Sequence, residues 1–341
     1  MNNLSMKLLA EKLDLSVGTV SKALKDSHEI SEKTKQRVRD LASELNYSPN
    51  PFASSLRKGR SNTIAIVLPN VSNNYFSQIV GGIQAALNSK EYHLLIYLTG
   101  DNHETEEKIF ADLAKSGRVD GVIHSISSDT TDFGHITRLQ ENEIPLVFVG
   151  RACDGIVAPK IMTNDYECGY NAAAHLIACG CKKIAILSIS RSLSMSHRRI
   201  EGFKMALDKH YIAFGEGDII HATSDEGENE MLIRELLNGN SRPDGIIVTG
   251  ERLTVKLYSV CESQGINVPD DLKVLSFSNL SCAGILKPAL TTMSQPAFEM
   301  GETAARLLFD HIEKRKIVAG AHSEIIPSVL QIRRSTIDSL H

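Results

Sequence analysis

The chain has 341 residues, 42% hydrophobic and 23% charged, which suits two or three domains with packed cores rather than one small domain or a disordered chain. No stretch approaches the ~18 to 20 apolar residues of a membrane span and no N-terminal apolar run fits a signal peptide, so a cytoplasmic protein without membrane contact is expected. The net charge of −4 conceals a basic head: residues 1–60 hold 11 of the 37 Lys and Arg but only 7 of the 41 Asp and Glu, as suits a polyanion-binding module on an acidic body.

Three short helices are predicted over residues 1–47. In SMKLLAEKL, Ser5 can accept orphan N–H bonds of a helix start, and Leu9, Ala10 and Leu13 share one face. After DLS, Ser16 can cap a second helix, VGTVSKALKD, whose Val20, Ala23 and Leu24 face inward. In the third, SEKTKQRVRDLASELNY, Ser31 caps with Thr34 three residues on, and Val38, Leu41, Ala42 and Leu45 form the apolar stripe. Such a trio with a tight first turn is a helix-turn-helix. The outer face of the second helix carries Val17, Gly18, Ser21, Lys22 and Lys25, small and cationic side chains that allow close approach to a major groove and offer donors to bases and phosphates. Ser16, Thr19, Ser31 and Thr34 lie near helix starts, where hydroxyls and N–H groups suit phosphate oxygens. The segment SPNPFASSLRKGRSN, Ser48 to Asn62, has linker composition yet carries Ala53 and Leu56 at helical spacing.

From Asn62 short apolar strands alternate with amphipathic helices: TIAIVLP, HLLIYLTG, VDGVIHSI and PLVFVG, then, after KIMTND, KKIAILSIS, DIIHAT, DGIIVTG and KVLSFSN. Near-continuous apolar strands between helices argue parallel sheets covered on both faces, here in two doubly wound lobes. Neither G-x-G-x-x-G nor G-x-x-x-x-G-K-[ST] occurs, nor do H-E-x-x-H, G-x-S-x-G or a paired-carboxylate motif, so no cofactor and no enzymatic activity are expected. The six cysteines contain no CxxC pair and the twelve histidines fall at no ligand spacing. No metal is expected, and for His93, His124 and His175 the reading is packing or exposure.

The run from Ala10 through TVS (Thr19-Val20-Ser21), LNY (Leu45-Asn46-Tyr47), Pro49-Asn50 and the Ala53/Leu56 pair resembles the head of the lactose-repressor (LacI/GalR) family of bacterial transcription regulators, with Leu15-Ser16 where the family's turn usually has Val-Ser. The resemblance implies double-stranded operator DNA as partner, met by Ser5, Ser16, Val17, Gly18, Thr19, Ser21, Lys22, Lys25, His28, Ser31, Thr34, Tyr47, Asn50, Ala53 and Leu56. Val17 and Gly18 stand at the positions that vary with operator, which leaves Lys22 as the candidate for a guanine edge. His28 is either a DNA-backbone contact or a plain loop residue. On DNA the hinge would fold into a minor-groove helix, with Leu56 wedged into the central base step and Arg57, Lys58 and Arg60 on phosphates.

The rest of the chain resembles the family's periplasmic-binding-protein-like effector domain, and TTMSQP, Thr291 to Pro296, matches a crossing segment. The implied fold class is α/β, a three-helix helix-turn-helix head plus a body of two doubly wound parallel-sheet lobes. The implied division is head 1–47, hinge 48–61, N-terminal lobe 62–161 and 292–322, and C-terminal lobe 162–291 and 323–341. Crossings would fall near Ile161 to Thr163, Leu290 to Thr292 and Ala321 to Glu324.

Effector contacts are expected at strand ends. Asn74, Tyr75 and Phe76 follow the first strand; Tyr75 offers a ring face to a sugar or base, while Phe76 either does the same or packs its helix. Ser125, Arg151, Asp165, Glu251 and Ser278 stand at other strand ends, and Arg199 matches the family's R..GF arginine, a donor fork or else a helix-surface salt bridge. Carboxylates missing from the sugar-binding pattern, together with the added Arg151, point to a sugar phosphate or acid sugar beside a neutral sugar. A homodimeric, effector-controlled repressor is expected, the chain ending soon after its last strand without a leucine-heptad tail. The rivals are a regulator with a phosphorylated protein corepressor, a solute-binding transport protein, and an enzyme acting in the cleft.

Overall fold

A computed structural model describes residues 6–47, 60–88, 90–239, 242–314 and 323–337, in two compact units, Met1–Ser61 and Asn62–His341. The first contains α1 (Met6–Leu13), α2 (Val17–Leu24) and α3 (Glu32–Glu44). The expected caps form: Ser16 Oγ accepts the Thr19 N–H at 3.0 Å and Ser31 Oγ the Thr34 N–H at 3.3 Å. Each cap satisfies an orphan donor and is worth ~1 kcal/mol. Leu9, Ala10, Val20, Ala23, Val38 and Ala42 bury together, with Leu15 and Tyr47 packed against them. Ser5 and the hinge residues Asn50, Ala53, Leu56, Arg57 and Lys58 lie outside the described residues.

The second unit opens with β1 (Thr63–Leu68), α4 (Asn74–Leu87), β2 (His93–Leu98), α5 (His103–Ser116), β3 (Gly121–His124), α6 (Gly134–Glu141), β4 (Leu146–Val149) and β5 (Lys160–Met162). It continues with α7 (Asp165–Ala178), β6 (Ile184–Ser188), α8 (Ser194–Lys209), β7 (Ile219–His221), α9 (Glu226–Asn238), β8 (Gly245–Val248), α10 (Glu251–Gln264), β9 (Lys273–Phe277), β10 (Thr291–Ser294), α11 (Ala297–Lys314), β11 (Glu324–Ile325) and β12 (Val329–Gln331). These make two six-stranded sheets, ordered β11-β5-β4-β3-β1-β2 and β12-β10-β9-β8-β6-β7, parallel in every pairing but β10–β12. β1 is buried along its whole length because both faces are covered. Phe76, Ile79 and Ile83 of α4 pack with Met300 and Leu308 of α11 on one face, and Phe110 and Leu113 of α5 with Ile136 and Leu139 of α6 on the other. Each such side chain contributes roughly 1.5 to 3 kcal/mol when fully buried.

Three details differ from the sequence reading. β2 is an edge strand that leaves Leu95, Ile96 and Leu98 exposed. β10 pairs with β9 and β12, so Thr292 to Ser294 belong to the second sheet and the chain crosses after them. β11 pairs with β5, so Glu324 and Ile325 belong to the first sheet and the last crossing falls between Ile325 and Val329. Strands of two to four residues are too short for a periodic pattern to assign them. Among the described residues no helix is long and apolar enough to cross a membrane.

Candidate functional site

On α2 the helical period separates two faces. Val20 and Ala23 are buried, while Val17, Gly18, Lys22 and Lys25 are exposed and Thr19 and Ser21 half-exposed, so a contiguous outward surface begins at the helix N-terminus. The cap hydroxyls also bond to each other, Ser16 to Thr19 at 2.8 Å and Ser31 to Thr34 at 2.9 Å. Lys22 forms an ion pair with Glu29 from the loop that follows α2. Exposed His28 lies in the same loop, and Tyr47 is half-buried on the head core. Lys35 is buried and paired with Glu32 at 2.7 Å and Asp26 at 3.2 Å, and Arg39 also pairs with Asp26, tying α3 to the end of α2.

In the second unit the effector candidates fall into three groups. The first spans the two sheets. Glu251, opening α10, accepts the Asn74 N–H on Oε2 at 3.0 Å and the Asn279 N–H on Oε1 at 2.8 Å. Asn279 Nδ2 in turn donates to Gln78 Oε1 at 2.8 Å and to the Gln295 carbonyl at 2.7 Å. Further along, Ser190 and Ser192, after β6, both donate to the Ser128 carbonyl, after β3. The lobes are thus fastened at both of these places.

The second group is Asp165 and Arg199, each 1% exposed at its side chain, with Nε donating to Oδ1 at 2.8 Å. Their meeting follows from a close helix contact. A Cβ on Gly169 of α7 would lie 2.0 Å from the Arg199 carbonyl, and one on Gly202 of α8 would lie 2.0 Å from the Tyr166 carbonyl. Only glycine at both positions lets these helices approach so closely. The guanidinium lies 4.2 Å from the Phe277 ring centroid, at the end of β9, which leaves Arg199 a buried donor rather than a helix-surface salt bridge.

The third group is Tyr75, Phe76, Ser125 and Arg151. Phe76 is 1% exposed in the α4–α11 core, so packing decides its role, with the Arg151 guanidinium 5.5 Å from its ring centroid. Arg151 donates to Asp101 Oδ1 at 2.7 Å, so its charge is already paired. Tyr75 is half-buried, and burial followed by the nearby Asp165 charge pushes its hydroxyl well above the ordinary tyrosine range, against the pull of Arg199 and Arg151. Three buried polar atoms in these groups have no hydrogen-bond partner: Ser125 Oγ, Asp165 Oδ2 and Arg199 Nη2. Buried polar atoms are nearly always paired, so these three stand out. Ser278 is instead occupied, accepting the Leu280 N–H at 3.1 Å.

Sequence reasoning missed Asp101, Gln78, Ser128 and the bridging role of Asn279. Asp101 follows a strand end like the residues that were singled out, whereas the serines give no such signal. His124, at the end of β3, is packed inside as one of its two expected readings has it, and both it and His135 are buried against Glu106.

A helix-turn-helix unit followed by two doubly wound lobes fastened across a cleft defines a DNA-binding transcription regulator with a small-molecule-binding body. Residues 61–338 match the family of periplasmic binding proteins and the sugar-binding domain of the LacI family, and residues 5–50 match the bacterial regulatory proteins of the lacI family. The chain belongs to the LacI family. The HTH-type transcriptional repressor CytR of Escherichia coli K12 is 28% identical, covering 97% of this chain and 96% of that one. A LacI-family regulator from Enterococcus faecium, solved with bound ribose, is 27% identical with a TM-score of 0.70, over 81% of this chain and 98% of its own. The lac repressor dimer bound to operator has a TM-score of 0.83 over 98% of this chain and 99% of its own; at 20% identity it shows the shared fold.

Proposed function

We propose that this repressor is switched by a neutral, hydroxyl-rich sugar held between the lobes by Tyr75, Ser125, Asp165 and Arg199. The observation that carries the reading is the set of unpartnered atoms, a donor on Arg199, an acceptor on Asp165 and a hydroxyl on Ser125. A sugar hydroxyl both donates and accepts, so a ligand with several hydroxyls suits a donor, an acceptor and a hydroxyl alike. Charge argues the same way. Arg151 is neutralised by Asp101 and Arg199 by Asp165, and Glu251 adds a further carboxylate, so a phosphate would meet no free cation among these groups. This turns the preference away from the anionic ligands that Arg151 suggests in the sequence. Calorimetric titration with aldoses, their phosphates and acid sugars tests it: heat from a neutral sugar alone supports the reading, and heat only from a phosphate or acid sugar contradicts it.

On the operator, α2 enters the major groove with Val17, Gly18, Ser21, Lys22 and Lys25 toward bases and backbone, while the N-termini of α2 and α3 take phosphates through Ser16, Thr19, Ser31 and Thr34. Two copies read two half-sites. The exposed apolar stripe of β2, Leu95, Ile96 and Leu98, supports association with a second copy, since apolar edge strands are rarely left open in monomers. Effector binding alters the lobe closure fastened by Glu251 and Asn279, and the hinge, residues 48–61, carries the change to the head.

A further inference from the structure

Glu106 of α5 is fully buried, and its contacts are unusual for a carboxylate. Its Oε2 accepts the Ser127 N–H at 2.7 Å, and its Oε1 accepts the Thr130 hydroxyl at 3.2 Å and lies 2.9 Å from His135 Nε2. Among its described contacts there is no lysine or arginine. Taking a carboxylate out of water without a countercharge costs several kcal/mol.

His124 sharpens the problem. Its Nδ1 lies 3.2 Å from the Val67 carbonyl, which can only accept. Its Nε2 lies 3.4 Å from Glu106 Oε1. His124 Nε2 and His103 Nδ1 are both buried and without hydrogen-bond partners. His103 stands edge-on to His135, 5.4 Å between centroids, and one donor atom from each of His103, Glu106 and His135 lies within 4.8 Å of the others. The Phe110 ring, 4.7 Å from His124 and 5.0 Å from His135, forms an apolar wall.

We propose that His103, Glu106 and His135, with His124 Nε2 beside Glu106, bind one divalent ion of the zinc type. Imidazole and carboxylate together suit zinc rather than magnesium or calcium, which prefer all-oxygen sites. Bonds of about 2.0 to 2.1 Å place tetrahedral donors roughly 3.3 Å apart, close to the separations already present around Glu106 Oε1. Half-buried His103 closes the set by turning its side chain. The ion would set a positive charge against the buried Glu106 carboxylate, among ring nitrogens that include two without hydrogen-bond partners. Glu106 also anchors Ser127 and Thr130, in the segment whose Ser128 carbonyl receives Ser190 and Ser192 from the other lobe, so the ion would stiffen one wall of the cleft.

The test needs neither operator nor effector, so its outcome is independent of the sugar reading. The chelator-stripped full chain is titrated with ZnCl2 by calorimetry and with CoCl2 by visible absorption, beside His103→Ala and Glu106→Gln. The expected result is one ion per protomer, a tetrahedral cobalt spectrum, and at least about tenfold weaker zinc binding in His103→Ala. Absence of binding, or the same affinity and spectrum in His103→Ala, would overturn the proposal. Because Glu106→Gln risks unfolding, His103→Ala carries the decision, its side chain being only half-buried.

Discussion

Asp165 and Arg199 meet at 2.8 Å with both side chains 1% exposed, yet each keeps one polar atom unpartnered. A buried pair this incomplete is poorly explained by stability alone, since a hydrophobic pair of similar volume serves that end as well. Its half-satisfied state fits a site that a ligand completes. Asp165→Asn leaves Arg199 buried without its countercharge, and urea unfolding is expected to show a loss of about 3 to 5 kcal/mol. Saturating sugar should then restore less stability than in the parent chain.

The helix contact behind that pair can be tested separately. Gly202→Ala places a methyl 2.0 Å from the Tyr166 carbonyl, a backbone atom that cannot step aside. Helices α7 and α8 must part, and a loss of about 1 to 3 kcal/mol is expected, read as a lower denaturant midpoint.

Glu251 is the second place where sequence-distant groups meet, accepting N–H groups from Asn74 and Asn279. In Glu251→Gln one acceptor becomes a donor facing an N–H, which costs about 1 to 3 kcal/mol. The lobes should open. Solution scattering is expected to show a larger radius of gyration, and sugar affinity should fall by about tenfold or more.

The head gives a further expectation. Lys22 and Glu29 are each 53% exposed at their side chains, and an exposed pair is worth about 0.2 to 1 kcal/mol. Glu29→Gln frees Lys22 for DNA and should tighten operator binding a few-fold at low salt. Lys22→Ala should weaken it and relax the preference at one base position, as binding selections on randomised half-sites would reveal.

Asp26 makes the head sensitive to acid. Its hydrogen bond to Lys35, then the charges of Lys35 and Arg39, hold its carboxyl below the ordinary value of 3.8. A group lowered on folding contributes stability that is present above its unfolded value and lost as pH falls through the folded one. Protection of the α2 and α3 amides, relative to unstructured peptide at the same pH, should therefore fall below about pH 4, and Asp26→Asn should flatten that dependence.

Much of this was legible in the sequence. Ser16 and Ser31 announce their helices because capping is local, and the apolar runs of β1, β3 and β4 declare buried strands because burial on both faces needs no partner to be known. The spacing of Arg199 and Gly202 singles out the arginine, although its pairing with Asp165, 34 residues away, is a tertiary fact. The pairing of Arg151 with Asp101, 50 residues apart, reverses the charge argument drawn from the arginine alone. The two-residue β11 carries no period, and the histidines around Glu106 stand on α5, β3 and α6, so their spacing along the chain conveys nothing of their meeting.

The most direct measurement is fluorescence anisotropy of the full chain on an operator selected from random DNA, with and without neutral sugars. The account predicts that at least one sugar shifts operator affinity by about 5- to 150-fold, and that Arg199→Ala abolishes the shift while still binding the operator. Operator affinity unchanged by every sugar, or a shift that survives intact in Arg199→Ala, would contradict it.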